Sequence, residues 1–219
     1  MKPDYADAQY NLGVSYGQLG RYAEAIEAFK QAIRIKPDFA EAHYNLGVTY
    51  GKLGRRAEAI EACKQAIRIK PDYPQAHYNL GNTYSNLGRY AEAIGAYKEA
   101  IRIKPDYLQA HYNLGVGYGK LGRAVEEIEA YKQAIRIKPD LAEAHHNLGV
   151  SYGELGRYAE AIEAYKQAIR IKPDYAEAHY NLGISYLIAG SKGSALDEYK
   201  ILKELDKELA DELFNLIDK

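Results

Sequence analysis

Apolar residues recur along this chain with the spacing of amphipathic helices. Within residues 22–35, Ala25, Phe29 and Ala32 follow one another at steps of four and three positions. This spacing places the three side chains on one face and predicts a helix. Pro37 lacks a backbone donor and restricts the residue before it, so the helix is predicted to end ahead of this proline.

A second apolar stripe precedes the first one. It lies within residues 7–19 and consists of Ala8, Leu12, Tyr16 and Leu19. We expect these side chains to face the core, because they fall within about 80° of one another on a helix that turns about 100° per residue. Gly20 directly follows the stripe, and a glycine in this place is typical of a helix C-terminus. Each pair of stripes is therefore predicted to form a helical hairpin.

The hairpin pattern returns every 34 residues. Its proline marks the period at Pro3, Pro37, Pro71, Pro105, Pro139 and Pro173. We place the repeats, numbered 1 to 6, at residues 6–39, 40–73, 74–107, 108–141, 142–175 and 176–209. One hairpin cannot bury its apolar face alone, whereas stacked hairpins share a continuous core. The sequence thus predicts a single all-α domain of stacked hairpins over residues 1–219.

The C-terminal residues depart from the repeat. Asp206 can cap a helix, and the residues after it carry an apolar stripe at helical spacing. The stripe comprises Leu209, Leu213, Leu216 and Ile217. We expect residues 206–219 to form a capping helix that covers repeat 6.

Two further columns accompany the prolines, a glycine that begins with Gly13 and a tyrosine that begins with Tyr16. Along one repeat the pattern is L-G-x-x-Y, then G-x-Y-x-x-A-I, then a proline, which Lys207 replaces in repeat 6. This pattern resembles the tetratricopeptide repeat (TPR) family over residues 2 to about 209. The resemblance implies a right-handed α-solenoid of six TPR hairpins, in which helix A, the first helix of each repeat, lines a concave groove. It also implies a protein that binds other proteins without catalysing a reaction.

An asparagine column lies on the side of helix A opposite the apolar stripe. Its members are Asn11, Asn45, Asn79, Asn113, Asn147 and Asn181. A primary amide carries donors and an acceptor, so a row of amides suits the N–H and C=O groups of an extended peptide. The column resembles the asparagine ladder in the TPR superhelix of the O-linked N-acetylglucosamine transferases. The alternative interpretation is that each amide bonds a neighbouring helix end and only holds the stack together.

Other side chains on the same side of helix A are candidate peptide contacts. Tyr44, Tyr78 and Tyr112 could supply apolar surface beside the amides. Repeat 3 is more polar than the others, because Asn82 and Asn86 stand on this side. We expect any preference for particular ligand side chains to concentrate near these two residues.

Repeat 4 breaks the pattern in helix B, the second helix of the hairpin. Glu127 stands in a column that is otherwise occupied by the alanines Ala25, Ala59, Ala93 and Ala161. Ala124, three residues earlier, replaces the tyrosine of other repeats. Because an unpaired buried carboxylate is costly, we expect Glu127 to extend into the room that Ala124 vacates.

The charge balance argues against nucleic-acid and membrane partners. The chain has 29 Lys and Arg against 30 Asp and Glu, a net charge of −1, which offers no attraction to polyanions. No apolar run approaches the roughly 20 residues that span a bilayer. Cys63 is the single cysteine. A lone thiol fits a reducing compartment, so we expect a cytoplasmic location.

Residue patterns typical of cofactors, metals and catalysis are weak. Residues 117–122 match G-x-G-x-x-G, but a dinucleotide site would need a preceding strand. A histidine column runs from His43 to His179, and stacked helices lie about 8–10 Å apart, whereas Zn–N bonds measure about 2 Å. No nucleophile has an evident base and orienting group. We therefore expect no cofactor, no metal and no enzymatic activity.

The sequence favours a scaffold that binds an extended peptide or partner protein along the groove of A helices. Two alternatives remain open. One is a structural or engineered array that mainly associates with itself, end to end, because the repeats are nearly identical and the chain opens on the tail of a repeat. The other is a regulatory module cut from a larger protein.

Overall fold

The chain is all-α, as the apolar spacing predicts. The computed structural model describes residues 3–218, and within this range it consists of thirteen α-helices and the turns between them, with no β-strand. The helices pack into two compact units. The N-terminal unit comprises Met1–Asn113, and the C-terminal unit comprises Leu114–Lys219.

The helices alternate between the A and B positions of the repeat. The A helices are α1 (Pro3–Gln18), α3 (Ala40–Lys52), α5 (Pro74–Ser85), α7 (Leu108–Lys120), α9 (Ala142–Glu154) and α11 (Ala176–Ile188). The B helices are α2 (Tyr22–Ile35), α4 (Arg56–Ile69), α6 (Tyr90–Ile103), α8 (Ala124–Ile137), α10 (Tyr158–Ile171) and α12 (Lys192–Leu205). A last helix, α13 (Lys207–Ile217), follows repeat 6. The first B helix has the predicted bounds, whereas α1 begins earlier than predicted.

Each hairpin turns at a glycine in the left-handed region. The φ angles of Gly20, Gly54, Gly88, Gly122, Gly156 and Gly190 lie between 67° and 78°. Residues with a Cβ avoid this conformation, so glycine at this place ends helix A and lets helix B begin. The prediction of a glycine helix terminus is confirmed.

The two helices of a hairpin pack closely at a second glycine, which lies in the middle of helix A. A Cβ at Gly13 would lie 2.6 Å from the Phe29 ring, and a Cβ at Gly81 would lie 2.5 Å from the Tyr97 ring. The missing side chain therefore lets the aromatic residue of helix B pack against the backbone of helix A. Helix B in turn packs on helix A of the next repeat, as α2 does on α3 and α10 on α11.

The apolar stripe of helix A in repeat 1 is not buried as expected, because Ala8, Leu12 and Leu19 are exposed and Tyr16 is half-buried. Leu46 of repeat 2 is only 8% exposed, but its counterpart Leu12 in repeat 1 is 42% exposed, because no preceding helix B lies on α1 within the described residues. Leu19 is 71% exposed, so its expected place in the core is wrong. It follows the last residue of α1, where helical projection at about 100° per residue no longer applies.

The side chains of the histidine column form hydrogen bonds to the turn that ends the preceding repeat. The Nε2 of His43, His77, His111, His145 and His179 bonds the carbonyl of the proline six residues earlier, at 2.9–3.0 Å. A proline carbonyl can only accept, so the histidine donates. The histidines thus satisfy a carbonyl in the turn that follows helix B.

The predicted capping helix is confirmed as α13. The Asp206 carboxylate accepts a hydrogen bond from the Leu209 N–H at 3.1 Å, which is the contact of a helix N-cap. Leu213 is fully buried and lies against Gly183, the position that faces a helix B side chain in the other repeats. Leu216, by contrast, is exposed. The last helix thus completes the packing of repeat 6.

Among the residues that the structure describes, no helix combines the length and apolar composition that crossing a bilayer requires.

Candidate functional site

The candidate site is the surface of the A helices that carries the asparagine column, which we call the A-helix face. Successive A helices contact each other within each compact unit, as α1 does with α3, α3 with α5, and α9 with α11. The N-terminal unit holds Asn11, Asn45, Asn79 and Asn113. The C-terminal unit holds Asn147 and Asn181.

In the N-terminal unit the asparagine amides bond across the repeats. The Nδ2 atoms of Asn45, Asn79 and Asn113 donate to the hydroxyls of Tyr10, Tyr44 and Tyr78, at 2.9, 2.9 and 3.1 Å. Each bond reaches back to the A helix of the preceding repeat. The amides therefore contribute to holding the stack, as the alternative interpretation of the column expects.

The amide oxygens of two of these asparagines take no part in the bonds between repeats. Asn79 Nδ2 donates also to the Gln75 carbonyl at 3.0 Å, and this acceptor fixes which end of the amide is the nitrogen. Both N–H groups of Asn79 are then used. Within the described part of the chain, the Oδ1 atoms of Asn45 and Asn79 accept no hydrogen bond. These positions can therefore accept from a ligand, but Asn79 cannot also donate as the sequence suggested.

The candidate tyrosines are half-buried between the helices. Tyr44 packs on Tyr73 with ring centroids 5.0 Å apart, and burial raises the pKa of its hydroxyl. Tyr78 packs on Tyr107, also at 5.0 Å. Tyr112 is half-buried as well. These rings lie between neighbouring repeats, and part of each remains exposed.

The two polar residues of repeat 3 differ in their surroundings. Asn82 Oδ1 accepts from the Tyr97 hydroxyl at 2.9 Å and from Asn113 Nδ2 at 3.0 Å, so its orientation is fixed by protein groups. Asn86 is exposed just after α5. The structure thus joins Asn82 to the asparagine column and leaves Asn86 at its edge.

In the C-terminal unit a histidine takes the place of the tyrosine in the bond between neighbouring A helices. His146 occupies the position that Tyr10, Tyr44 and Tyr78 hold in the first three repeats, and its Nε2 lies 3.0 Å from Asn181 Nδ2, which donates. Its Nδ1 lies 3.3 Å from Asn147 Oδ1, so the proton of a neutral ring belongs there. Burial lowers the pKa of His146, and the ring packs on Tyr175 at 4.9 Å. A neutral imidazole therefore replaces the tyrosine hydroxyl as acceptor.

Repeat 4 contains the irregular residue Glu127, whose side chain lies elsewhere than the sequence predicts. Glu127 is only 8% exposed, and its carboxylate contacts a different helix from the one that carries Ala124, so the expected extension into the room at Ala124 is wrong. Its carboxylate lies against Gly119, where a Cβ would meet Oε1 at 2.6 Å. Its Oε2 has no hydrogen-bond partner among the described residues. The room comes from the missing side chain of Gly119 rather than from Ala124.

The thiol of Cys63 and the groups that could bind a metal complete the description of the site. Cys63 is buried, and burial raises the pKa of its thiol to about 12. Over residues 3–218, no group of three or more His, Cys, Asp or Glu could hold a metal ion.

Sequence families cover most of the chain. A family described as "TPR repeat" matches residues 15–54, 128–156 and 152–190. Families described as "Tetratricopeptide repeat" match residues 40–73, 74–107 and 108–141. No curated protein sequence is significantly similar to the chain.

Solved structures show the same architecture. A MamA structure is 30% identical, with 76% of this chain and 97% of that chain covered and a TM-score of 0.72. YrrB, described as "a TPR protein with an unusual peptide-binding site", is 22% identical over 87% of this chain and 99% of its own, at a TM-score of 0.77. PilF of Pseudomonas aeruginosa is 19% identical over 97% of both chains, at 0.78. The last two similarities concern the fold alone.

Proposed function

Because this chain belongs to the tetratricopeptide repeat family, we propose that it is a non-enzymatic scaffold that binds an extended segment of a partner protein along the A-helix face. The described peptide-binding site of YrrB supports this proposal by analogy of fold. The observation that carries it is the pair of unpaired amide oxygens on Asn45 and Asn79. Their nitrogens are held by neighbouring repeats, so the oxygens are oriented before a ligand arrives.

The general spacing of packed helices favours one ligand conformation. Packed helices lie about 8–10 Å apart. In a polyproline II segment, N–H groups that point the same way recur every third residue, at about 9.3 Å for a rise of 3.1 Å. In a β-strand they recur every second residue, at about 6.7 Å. The asparagine column therefore matches a polyproline II ligand better than a strand.

Binding through these amides depends little on the ligand sequence. Each hydrogen bond contributes only about 0.5–1.5 kcal/mol, and ordering an extended segment offsets much of the sum. We expect broadly tolerant affinities on the order of micromolar. The tyrosines beside the column, including Tyr44 and Tyr78, would add apolar contact.

A matched pair of double variants tests the proposal against a purely structural role. Asn45→Ala with Asn79→Ala removes the amide oxygens together with the bonds to Tyr10 and Tyr44. Tyr10→Phe with Tyr44→Phe removes the same bonds between repeats but keeps the oxygens. Peptides selected on an array are then titrated by fluorescence anisotropy, with helicity followed by circular dichroism.

The two variants separate the interpretations. The proposal expects about tenfold or greater weakening in the asparagine variant and a clearly smaller weakening in the tyrosine variant, which keeps the oxygens and loses only part of their orientation. Equal loss of stability and binding in both would show that the column only joins the repeats. Parental binding in the asparagine variant would show that the ligand lies elsewhere.

End-to-end self-association is a second candidate function, and the open face of repeat 1 favours it. Leu12 is 42% exposed there, whereas Leu148, its counterpart in repeat 5, is buried. Contacts between unlike ends of a chain can propagate. Sedimentation velocity over a range of concentrations tests this function. Leu12→Glu should abolish any association, whereas Leu53→Glu, at an exposed position inside the array, should not.

The absence of nucleic-acid and membrane partners and the cytoplasmic location also remain proposals. They rest on the balanced charge of 29 basic and 30 acidic residues and on the single thiol.

A further inference from the structure

A pocket of about 270 Å³ lies beside Glu127 in the C-terminal unit, and we call it the Glu127 pocket. Its walls come from α7, α8 and α9: Val116, Gly119, Lys120, Glu127, Tyr131, Asn147, Val150 and Glu154. Asn147 belongs to the asparagine column, and Val150 lies three residues further along α9. The pocket therefore opens on the A-helix face, next to the proposed path of a bound peptide.

The carboxylate in this pocket is not needed for packing. The equivalent positions in the other repeats are the fully buried alanines Ala25, Ala59, Ala93, Ala161 and Ala195. A glutamate at 8% exposure with an unpartnered Oε2 costs stability, because a buried acceptor without a donor keeps its desolvation penalty. A donor supplied from outside the chain would remove that penalty.

The charges around the pocket favour a cationic donor. The Glu154 carboxylate adds a second negative charge to the wall. Burial, reinforced by Glu154 and opposed by the Ser151 hydroxyl, raises the pKa of Glu127. Lys120 lies on the wall as well, yet among the described residues it forms no ion pair with either carboxylate. The three charges sum to −1, so a single positive charge would neutralise the site.

The remaining walls suit an aliphatic stem. Val116, Val150 and the Tyr131 ring are apolar surfaces on the way to Glu127. Lysine and arginine bury their methylene groups along such surfaces while the charged end finds a polar partner. We propose that the Glu127 pocket receives a lysine or arginine side chain of the peptide bound along the A-helix face. This inference rests on the proposed function and adds the side chain that the ligand must present.

A divalent metal ion fits the pocket less well. Calcium takes six to eight oxygen ligands and magnesium near-octahedral coordination. The described residues contain no cluster of three or more metal-ligating side chains. An ammonium or guanidinium group needs fewer acceptors and gains a charge-assisted hydrogen bond from one carboxylate.

The first experiment uses n-butylammonium, a mimic of the lysine side chain, and does not depend on peptide binding. It is titrated into the full chain while amide shifts are followed by NMR. We expect a saturable shift at Gly119 with a dissociation constant on the order of 10 mM. Gly153 is the internal control, because Ala161 stands in its repeat where Glu127 stands in repeat 4. Glu127→Gln should abolish the shift.

Glu129→Gln is the matched control for the charge change. Glu129 lies on the same helix, is exposed, and bonds only Gln133 among the described residues. Its variant should retain the Gly119 shift. The inference is overturned if butylammonium leaves Gly119 unmoved in a folded chain, or if Glu127→Gln shifts as the parent does.

The second experiment uses two acetylated, amidated nonapeptides that differ only at the centre, with lysine in one and glutamine in the other. The lysine peptide should bind about tenfold more tightly, or about 1.4 kcal/mol. That advantage should vanish in Glu127→Gln and grow in Lys120→Gln. Equal binding of both peptides would refute the pocket but leave the scaffold function standing. Butylammonium binding without any peptide binding would refute the scaffold function and keep the cation site.

Discussion

Replacing Glu127 with glutamine should stabilise the protein, and the gain should depend on pH. The substitution keeps the methylene groups that pack against Gly119 and removes a carboxylate whose Oε2 has no partner in the described chain. A buried polar group without a partner costs about 1–3 kcal/mol, and more when it is charged. The glutamine amide is also polar, so the substitution removes only the extra cost of the charge; the gain at neutral pH should be about 1 kcal/mol, which in a chain of this size corresponds to roughly 2–4 °C in Tm.

The sign of the pH dependence follows from the pKa shift. Burial raises the pKa of Glu127 in the folded protein above the 4.5 of an ordinary glutamic acid. Between these two pKa values the folded state binds more protons than the unfolded state, so the free energy of unfolding falls as pH rises. Glutamine does not titrate. Its advantage should be absent below the ordinary pKa and complete above the raised one.

The assay compares urea unfolding of parent and variant by circular dichroism at pH 4, 5.5 and 7.5. Hydrogen exchange in α8 supplements it, because repeat arrays can unfold in parts. Every other titrating group is common to both chains and cancels in the difference. Glu129→Gln should show no comparable trend. A variant less stable than the parent at pH 7.5, or a gain that is equal at all three pH values, would refute the reasoning.

Three further outcomes are expected. Deleting residues 206–219 uncovers repeat 6, so the shortened protein should either aggregate in sedimentation or unfold at a lower temperature. A monomer with an unchanged midpoint would contradict the capping role. Gly81→Ala should cost about 1–3 kcal/mol, because its Cβ would lie 2.5 Å from the Tyr97 ring; Gly95→Ala, with open space around it, should gain up to about 1 kcal/mol in thermal unfolding. Cys63, whose pKa is raised to about 12 by burial, should react with a thiol reagent quickly only in urea, and fast native labelling would contradict its burial.

The sequence predicts what depends on local spacing. The B helix at Tyr22–Ile35, the glycine turns and the Asp206 cap are all properties of neighbouring residues, and the structure has them as expected. The prediction that Leu19 is buried was wrong because this residue lies one position past the end of the helix from which its direction was projected. Extrapolation along a helix is reliable only as far as the helix continues.

Contacts between repeats were less predictable. The bond from Asn45 to Tyr10 joins residues 35 positions apart and depends on how two hairpins dock, which no single-repeat pattern contains. The histidine-to-proline bonds depend on the shape of the turn. Glu127 was recognised as an irregular residue, but its direction depends on the space left by Gly119 in a different helix.

The bonds of the asparagine column have a consequence for folding. Among the described residues of each compact unit, these bonds join a repeat to the one before it, and helix B packs on the next helix A. A nascent chain can therefore complete each of these contacts as soon as the next hairpin leaves the ribosome, without waiting for distant residues. Such short-range closure is typical of rapidly folding chains, and it allows folding to begin at more than one hairpin and spread to its neighbours.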